Sequence, residues 1–285
     1  MEFDIFSIAP DHKYNKYYRK NSCKNKLTFT KHFVLYLFHK FNFNIDNMSK
    51  NAIIFGATSG IGKHLADLLI QDGYTVGITG RREINLKKIQ NSNPDNYIIK
   101  KHDVTNLSES EKVFKELVSE MKTVDLIVYS SGIAEANYNL EWSKELPTIE
   151  VNVIAAVHLY GLSYNFFHKQ GYGHLVGISS VAGVRGNRHV PAYFASKAFQ
   201  NNYLESLWMK AKRNKKNIFI TDIAPGFVDT KMALGDTFGM ASLKKATGQI
   251  YTAIKKKKKK AYITKRWRIV AFLMRFTPAS IIMKT

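Results

Sequence analysis

The chain has 285 residues, of which 45% are hydrophobic and 13% aromatic, and its formal net charge is +21. This apolar content is enough for a core, so the composition excludes a wholly disordered chain. The single cysteine, Cys23, excludes an internal disulfide and fits a reducing compartment such as the cytoplasm.

The positive charge is concentrated at the C-terminal end. Residues 237–285 contain thirteen Lys or Arg and no Asp or Glu, whereas residues 48–236 are nearly balanced. Such an end indicates an anionic membrane or nucleic acid as partner, or serves solubility. No apolar run reaches the ~18 residues of a spanning helix, and the run at 33–38 is too short for a secretory signal, so we expect neither feature.

The first 47 residues show no sustained hydrophobic period. Met48 precedes a polar pair and then a buried strand pattern, so we predict that residues 1–47 are a loosely held extension or that Met48 is the true start. The alternative is an N-terminal helix around 31–41 that packs on the domain.

From residue 51 onward, short apolar runs alternate with helical patterns. The alternation predicts an α/β fold: a doubly wound, Rossmann-type parallel sheet with helices on both faces, spanning residues 48–264. Ligands bind such sheets beyond the carboxyl ends of the strands. The predicted strands are 51–55, 74–79, 96–100, 124–130, 173–179, 217–224 and 261–264, and the predicted helices lie near 61–71, 108–120, 148–169, 193–213 and 242–257.

A glycine-rich turn follows the first predicted strand directly. Gly56, Gly60 and Gly62 have the spacing G-x3-G-x-G where a helix must begin. Glycine permits positive φ and leaves no Cβ between backbone and ligand, and a helix N-terminus offers free N–H groups to a phosphate. A tight turn alone would also explain the glycines. Their place in the first βα unit favours dinucleotide binding.

The residues after the second and third strands suggest which dinucleotide is bound. NAD-binding proteins usually place an acidic residue after the second strand, but this chain has Gly80 followed by Arg81 and Arg82. Guanidinium groups can bind a 2′-phosphate, so NADP(H) is favoured over NAD(H). Asp103 could accept from the adenine amino group and Val104 could pack on its ring, or Asp103 could simply form an Asx turn.

Tyr193 and Lys197 lie four residues apart on a predicted helix and therefore on one face. A neighbouring ammonium favours the phenolate and would lower the tyrosine pKa toward the working range of a proton carrier. Ser180 follows the fifth strand, thirteen residues before Tyr193. Asn152 is an amide within an apolar helix, where it needs a binding partner.

Together these motifs resemble the short-chain dehydrogenase/reductase family. The matching elements are GATSGIG at 56–62, Asn152, Ser180, YFASK at 193–197 and APGFVDT at 224–230, in family order over about residues 50–265. The resemblance implies an oxidoreductase that moves hydride between a nicotinamide cofactor and a carbonyl or alcohol.

The resemblance also implies a role for each matching residue. Tyr193 would be the general acid/base, and Ser180, with Ser179 as alternative, would orient the substrate oxygen. Lys197 would lower the tyrosine pKa and bind the nicotinamide ribose, and Asn152 would hold a relay water or else only stabilise its helix. No metal is expected. The residues expected to bind the cofactor are Gly56, Thr58, Ser59, Gly60, Ile61, Gly62, Arg81, Arg82, Asp103, Val104, Ser131, Gly132, Tyr193, Lys197, Pro225, Gly226, Val228 and Thr230.

Two segments depart from the family pattern. Residues 129–132 read YSSG where the family often has Asn-Asn-Ala-Gly, which puts a sheet-bracing asparagine contact in doubt but keeps Gly132. The last predicted strand leads into a basic, apolar tail at 265–285, which makes the family's tetramer doubtful and leaves a homodimer as one alternative. The loop 229–247 is expected to cover the substrate.

The tail leaves several alternatives open. As a helix, 265–276 is apolar nearly all round, with Arg268 and Arg275 on one side. It could pack on its own domain, cover a substrate cleft, form a dimer contact, or attach to an anionic membrane together with the run Lys255–Lys260. Nucleic acid is disfavoured because no aromatic reading surface accompanies the lysines.

The sequence therefore predicts a cytoplasmic, NADP(H)-dependent carbonyl reductase or alcohol dehydrogenase. The prediction extends to peripheral attachment at the inner face of a membrane. In that case the substrate is expected to be hydrophobic or lipid-linked. The alternatives are a catalytically silent dinucleotide-binding scaffold and a membrane-surface adaptor that acts through the basic tail.

Overall fold

A computed structural model describes residues 50–230, 232 and 239–282, which belong to one compact unit. The predictions for residues 1–47 lie outside the described residues, as does part of the predicted substrate loop. The strands are β1 Lys50–Phe55, β2 Tyr74–Gly80, β3 Tyr97–Lys101, β4 Leu126–Tyr129, β5 Tyr172–Ile178, β6 Asn217–Pro225 and β7 Lys260–Ile263. The helices are α1 Gly60–Gln71, α2 Glu83–Ser92, α3 Leu107–Met121, α4 Trp142–Ile149, a π-helix Glu150–Ala155, α5 Ala156–Gln170, a 3₁₀ turn Val181–Val184, α6 Pro191–Arg213, α7 Leu243–Lys255, α8 Trp267–Phe276 and α9 Ala279–Ile282.

The strands form one parallel sheet in the order β3-β2-β1-β4-β5-β6-β7. The strand order reverses beside β1, which pairs with β2 on one side and β4 on the other. In open α/β sheets this reversal opens a crevice at the carboxyl ends of the strands. The doubly wound, Rossmann-type prediction is confirmed, and the reversal places the turn after β1 at the ligand-binding edge.

The sheet is covered on both faces, as its apolar strands require. Alternate residues of β1 point to opposite sides, so Ile54 packs with α1, α2 and α7, while Ile53 and Phe55 pack with α3, α5 and α6. All three side chains are completely buried. The two hydrophobic layers hold the strand ends, and hence the loops after them, in fixed positions.

Local signals explain where several helices begin and end. Asn106 caps α3 by accepting a hydrogen bond from the Glu109 amide at 3.1 Å, Pro191 begins α6, and Gly171 ends α5 with φ of +93°. The predicted helix at 148–169 is longer and less regular than expected. It begins at Trp142 and passes through the π-helix Glu150–Ala155 before continuing as α5.

Among the described residues, the segment Trp142–Gln170 is long and apolar enough to cross a membrane by length and composition alone. A core helix can satisfy the same test. In this fold the segment packs against the sheet, with Leu159, Tyr160 and Phe167 no more than 1% exposed. We therefore interpret it as a core helix.

The tail helix α8 packs on the rest of the fold through one face. The Trp267 ring lies directly over Gly226, where an added Cβ would be only 2.0 Å from the indole, and contacts Phe227 edge-on at 5.4 Å between ring centres. Ala271 is buried on the same face. Beyond the helix, Arg185 donates a hydrogen bond to the Thr277 carbonyl at 2.7 Å. The tail is thus held by the segments that follow β5 and β6.

Candidate active site

The glycine turn after β1 has the geometry of a phosphate-binding loop. Gly56 has φ of +86°, and a Cβ there would lie 2.7 Å from the Ser131 backbone nitrogen. A Cβ on Gly62 would lie 2.2 Å from the Gly56 carbonyl oxygen, so a side chain at either position would disrupt the turn. The hydroxyl of Ser59, which precedes α1, caps none of the first helical N–H groups. These donors therefore suit a pyrophosphate.

Arg82 contacts this turn directly, whereas Arg81 does not. The Arg82 guanidinium donates hydrogen bonds to the Thr58 hydroxyl at 2.6 Å and to the Ser59 hydroxyl at 2.8 Å. Both partners are neutral, so they leave the guanidinium charge uncompensated. Arg81 is exposed. Burial acts to raise the pKa of Asp103, but the hydrogen bonds from Thr105, and after them the positive charge of Arg81, hold it below its usual value.

The residues after β3 and β4 lie at the same edge of the sheet. Asp103 Oδ1 accepts hydrogen bonds from the Thr105 amide and hydroxyl at 3.1 and 2.9 Å, which is the Asx-turn alternative, and Val104 is buried. Ser131 lies against Gly56. The structure therefore brings Ser131 to the glycine turn and gives Asp103 a local structural role.

Ser180, rather than Ser179, faces the predicted proton donor. Ser180 is close enough to the Tyr193 phenol to lower its pKa, and the Ser180 hydroxyl lies 3.3 Å from the Pro225 carbonyl oxygen. The Ser179 hydroxyl donates instead to the buried carboxylate of Asp222, and the Ile223 carbonyl oxygen lies 3.0 Å from the same hydroxyl. The spacing to Tyr193 favours Ser180 over Ser179 in the sequence, and in the structure the Ser179 hydroxyl is directed to Asp222 instead.

Tyr193 and Lys197 lie on one face of α6, where Lys197 is buried and Tyr193 is half-buried. Burial raises the pKa of Tyr193 above its usual 10, and the influence of the neighbouring Ser180 partly opposes this. The Lys197 Nζ is 5.7 Å from the centre of the Tyr193 ring, and burial lowers the pKa of Lys197 to about 8, although the charge of Asp222 acts in the opposite direction. The expected lowering of the Tyr193 pKa by Lys197 stays a prediction.

Asn152 lies in the π-helix and connects three segments. Its Nδ2 donates to the Ile133 carbonyl at 2.9 Å and to the Ser196 hydroxyl at 3.0 Å, and its Oδ1 accepts from the Ile133 amide at 3.0 Å. A Cβ on Gly132 would lie 3.4 Å from this oxygen and 3.5 Å from Lys197 Nζ. Asn152 and Gly132 therefore border the lysine.

The segment after β6 is only partly directed toward the glycine turn. Thr230 Cγ2 lies 3.8 Å from the Cβ position of Gly60, and Pro225 contacts Ser180. Gly226 faces Trp267, and Val228 packs in the hydrophobic core, as does Ile61 in part. Gly226 and Val228 could therefore line a cofactor only through their backbone atoms.

Two residues of this region were missed in the sequence. Gln200 is completely buried and hydrogen-bonds Lys197, and Trp267 covers Gly226. The positions 193, 197 and 200 recur at helical spacing on one face of α6, which could have revealed Gln200. The contact of Trp267 joins two distant segments and leaves no local pattern.

The chain resembles known proteins over most of this domain. Residues 50–237 match the family described as short chain dehydrogenase. A 3-oxoacyl-[acyl-carrier-protein] reductase FabG of Rickettsia typhi is 32% identical over 190 residues, which cover 66% of this chain and 76% of the relative. A short chain dehydrogenase/reductase from Burkholderia phymatum in complex with NAD superposes with a TM-score of 0.73 at 17% identity, covering 79% of this chain and 92% of the other. A structure of ElxO with NADP bound has a TM-score of 0.69 at 20% identity, with 76% and 97% covered.

The chain therefore belongs to the short-chain dehydrogenase/reductase family. It is an oxidoreductase of the CH–OH/C=O class, and its cofactor is a nicotinamide dinucleotide. Among the described residues, no group of three or more His, Cys, Asp or Glu side chains could hold a metal ion.

Proposed function

We propose that this protein is an NADP(H)-dependent carbonyl reductase, or the reverse alcohol dehydrogenase, with Ser180, Tyr193 and Lys197 as its catalytic residues. The observation that carries the proposal is that Tyr193 has Ser180 and Lys197 as neighbours: Ser180 is close enough to lower the pKa of the phenol, and the buried Lys197 Nζ lies 5.7 Å from the centre of the Tyr193 ring. These groups lie at the carboxyl edge of the sheet, as does the glycine turn.

A bound reduced dinucleotide would supply hydride to the carbonyl carbon. Tyr193 would donate the proton to the carbonyl oxygen, and Ser180 would hold that oxygen by a second hydrogen bond. Because burial raises the pKa of Tyr193, the phenol is protonated at neutral pH and is ready to act as the acid in reduction. Lys197 would hold the ribose and stabilise the phenolate that remains, and Asn152 would hold the relay water.

The choice of NADP(H) is supported by Arg82. Its guanidinium lies against Thr58 and Ser59 of the glycine turn, and Gly80 leaves no carboxylate at the end of β2 to repel a 2′-phosphate. NAD(H) would bind the same turn without this charge contact, so we expect it to be the poorer cofactor.

The full chain can be tested by following NADPH absorbance with ketones and aldehydes of graded chain length, and NADP⁺ with the matching secondary alcohols. Oxidation of NADPH that requires a carbonyl compound would support the proposal. NADPH binding without turnover across the panel would contradict it and favour the silent scaffold. A preference that rises with chain length would support a hydrophobic or lipid-linked substrate.

We further propose that α8 attaches the protein to an anionic membrane surface. The outer stripe, defined as Ile269, Phe272, Leu273 and Phe276, has the helical spacing i, i+3, i+4, i+7 and lies opposite the face that packs on the fold. Its members are 66%, 63%, 58% and 68% exposed, respectively. Large apolar side chains that stay in contact with water on one helix face mark an interaction surface.

The surrounding charge favours a lipid surface as the occupant. Arg268 and Arg275 flank the stripe and are exposed, and residues 237–285 contain no acidic residue. Three lysines of the basic run form ion pairs, namely Lys255 with Asp72, Lys259 with Glu205 and Lys260 with Asp222. The exposed lysines between them, Lys256, Lys257 and Lys258, form no ion pair with the described residues, so their positive charge adds to that of the two arginines. Apolar bulk beside such charge is the combination that binds peripheral helices to anionic lipid.

The double substitution Phe272→Ser and Phe276→Ser should weaken binding to phosphatidylserine-containing vesicles by at least about tenfold, because two exposed aromatic anchors are lost. Co-sedimentation of the full chain measures this. Ile84→Ser with Trp142→Ser is the matched control, since these side chains are 72% and 64% exposed elsewhere. Equal vesicle binding by both double variants would contradict lipid binding by the outer stripe. So would a protein dimer that the Phe272→Ser and Phe276→Ser variant disrupts.

On this proposal the protein is cytoplasmic, and part of it is attached to the inner face of a membrane. The anionic inner leaflet is complementary to the basic end of the chain. A homodimer and the lack of a nucleic acid partner stay predictions.

A further inference from the structure

Gln200 bridges the two predicted active-site residues that lie on different helices. Its Oε1 accepts a hydrogen bond from Lys197 Nζ at 3.0 Å, and its Nε2 donates one to the backbone carbonyl of Asn152 at 2.7 Å. Gln200 is 0% exposed and Lys197 is 3% exposed. The contact is therefore internal to the protein and shielded from solvent.

The chemistry of the two partners fixes the orientation of this amide. An ammonium can only donate and a backbone carbonyl can only accept, so the amide oxygen must face Lys197 and the amide nitrogen must face Asn152. Reversing the amide would break both bonds. Gln200 is thus held in one orientation and in turn holds the lysine.

The π-helix supplies the acceptor for this bridge. Two successive carbonyls of the segment Glu150–Ala155 accept bonds from side chains: Val151 from the Tyr129 hydroxyl at 2.5 Å, and Asn152 from Gln200. A π-bulge shifts the backbone pairing of a helix and is frequent at functional sites. Here it gives α6 a fixed point on the neighbouring helix.

The lysine ammonium donates hydrogen bonds to a backbone carbonyl and to the glutamine. Lys197 Nζ lies 3.0 Å from the Ile178 carbonyl oxygen and 3.0 Å from Gln200 Oε1, so the glutamine supplies the side-chain acceptor of the two. The charged or titratable groups that influence Lys197 are Tyr193, 5.7 Å away at its ring centre, and Asp222 of β6, which is itself paired with Lys260 at 2.8 Å.

We propose that Gln200 is a positioning residue for Lys197, because its amide orients the ammonium and ties it to the carbonyl of Asn152. The catalytic meaning of this bridge rests on the proposed function. A direct side-chain link makes the lysine position depend on residue 200 and on the π-helix, so the site is preorganised before cofactor binds.

The bridge is tested by Gln200→Met, which is unbranched and of similar size but lacks the amide, and by Gln200→Glu. The readout is the pKa of Lys197, followed by NMR titration of protein labelled with ¹³C at lysine Cε, with the resonance assigned through Lys197→Arg. Loss of an acceptor disfavours the buried ammonium, so Gln200→Met should lower this pKa. Gln200→Glu places a carboxylate beside the ammonium, so it should raise the Lys197 pKa by about one pH unit or more.

Turnover gives the second readout. Gln200→Met should reduce kcat roughly 10- to 100-fold and move the basic limb of the pH profile to lower pH, because misplacement by about 1 Å is enough for such a loss. Gln170→Leu is the matched control, since among the described residues this glutamine hydrogen-bonds the backbone of Val124 and Tyr172 and no side chain. The control should lose thermal stability without moving the Lys197 titration or the pH profile.

An unchanged Lys197 titration in both Gln200 variants, or a loss of kcat no larger than that of Gln170→Leu, would overturn the proposal. Thermal unfolding of each variant identifies any that fail to fold, and the two Gln200 variants differ in charge, so they test the bridge from opposite directions. Wild-type protein without turnover would defeat the proposed function, whereas the lysine titration would still decide the bridge.

Discussion

Tyr193→Phe should reduce kcat by about 10²- to 10⁴-fold while cofactor binding is retained, since this is the range that a positioned general acid contributes. The substitution removes only the phenolic oxygen. The ring contact with Phe194, with centres 5.9 Å apart, and the Lys197 contact remain available to phenylalanine. Single-turnover rates with NADPH would measure the chemical step, and fluorescence titration would measure cofactor affinity.

Tyr203→Phe is the matched control for this result. Tyr203 lies on the same helix and stacks on Phe199 and Tyr160 at 5.8 and 6.2 Å, away from Ser180. It should leave kcat unchanged. A Tyr193→Phe enzyme of normal kcat would show that another group carries the proton. A matching loss of NADPH affinity would mean that the phenol serves binding rather than proton transfer.

Arg82→Ala should lower kcat/KM for NADPH by about 10- to 100-fold, with a much smaller loss for NADH. The expected size follows from the ~1.5–3 kcal/mol of hydrogen bonds to charged groups. The guanidinium lies on the turn that would hold the phosphates, where its partners Thr58 and Ser59 leave its charge available to a 2′-phosphate. Initial rates with both cofactors give the ratio of kcat/KM for NADPH to kcat/KM for NADH. Damage to the glycine turn that lowers both values equally cancels in this ratio.

Lys87→Ala is the control for charge alone. Lys87 is an exposed cation of α2 that pairs with Glu83 at 2.9 Å, so its removal changes the net charge equally but leaves the glycine turn intact. The NADPH/NADH ratio should not change in this variant. Equal use of both cofactors by the wild-type chain, or an equal fall for both in Arg82→Ala, would defeat the assignment of Arg82 to the 2′-phosphate.

The sheet and the glycine turn could be predicted because their signals are local. Strands such as the one predicted at 51–55, which the structure has as β1, are apolar on both faces, as is typical of a covered parallel sheet, and Gly56 and Gly62 stand where β1 meets α1. Helical spacing likewise placed Tyr193 and Lys197 on one face. Helix α2 was missed because only Leu86 and Ile89 are buried, which is too few to produce a clear period.

The contacts of the candidate site were harder to predict. No sequence period distinguishes the π-helix around Asn152 from an ordinary α-helix, so the free carbonyl that receives Gln200 was not foreseen. The direction of the Tyr193 pKa also depends on burial, which the spacing to Lys197 does not reveal. The spacing to Tyr193 favoured Ser180 over Ser179, but the hydrogen bond of Ser179 with Asp222 on the neighbouring strand was not predictable.

The contact of Trp267 with Gly226 has a consequence for cooperativity. The indole covers the backbone one residue after Pro225, whose carbonyl contacts Ser180, and Thr277 accepts from Arg185 in the segment after Ser180. We therefore expect α8 and the segments around Ser180 to unfold together as one cooperative unit. Local melting of α8 would loosen the walls around Ser180, so removing the tail would disturb catalysis together with attachment. Only substitutions on its outer stripe can separate the two.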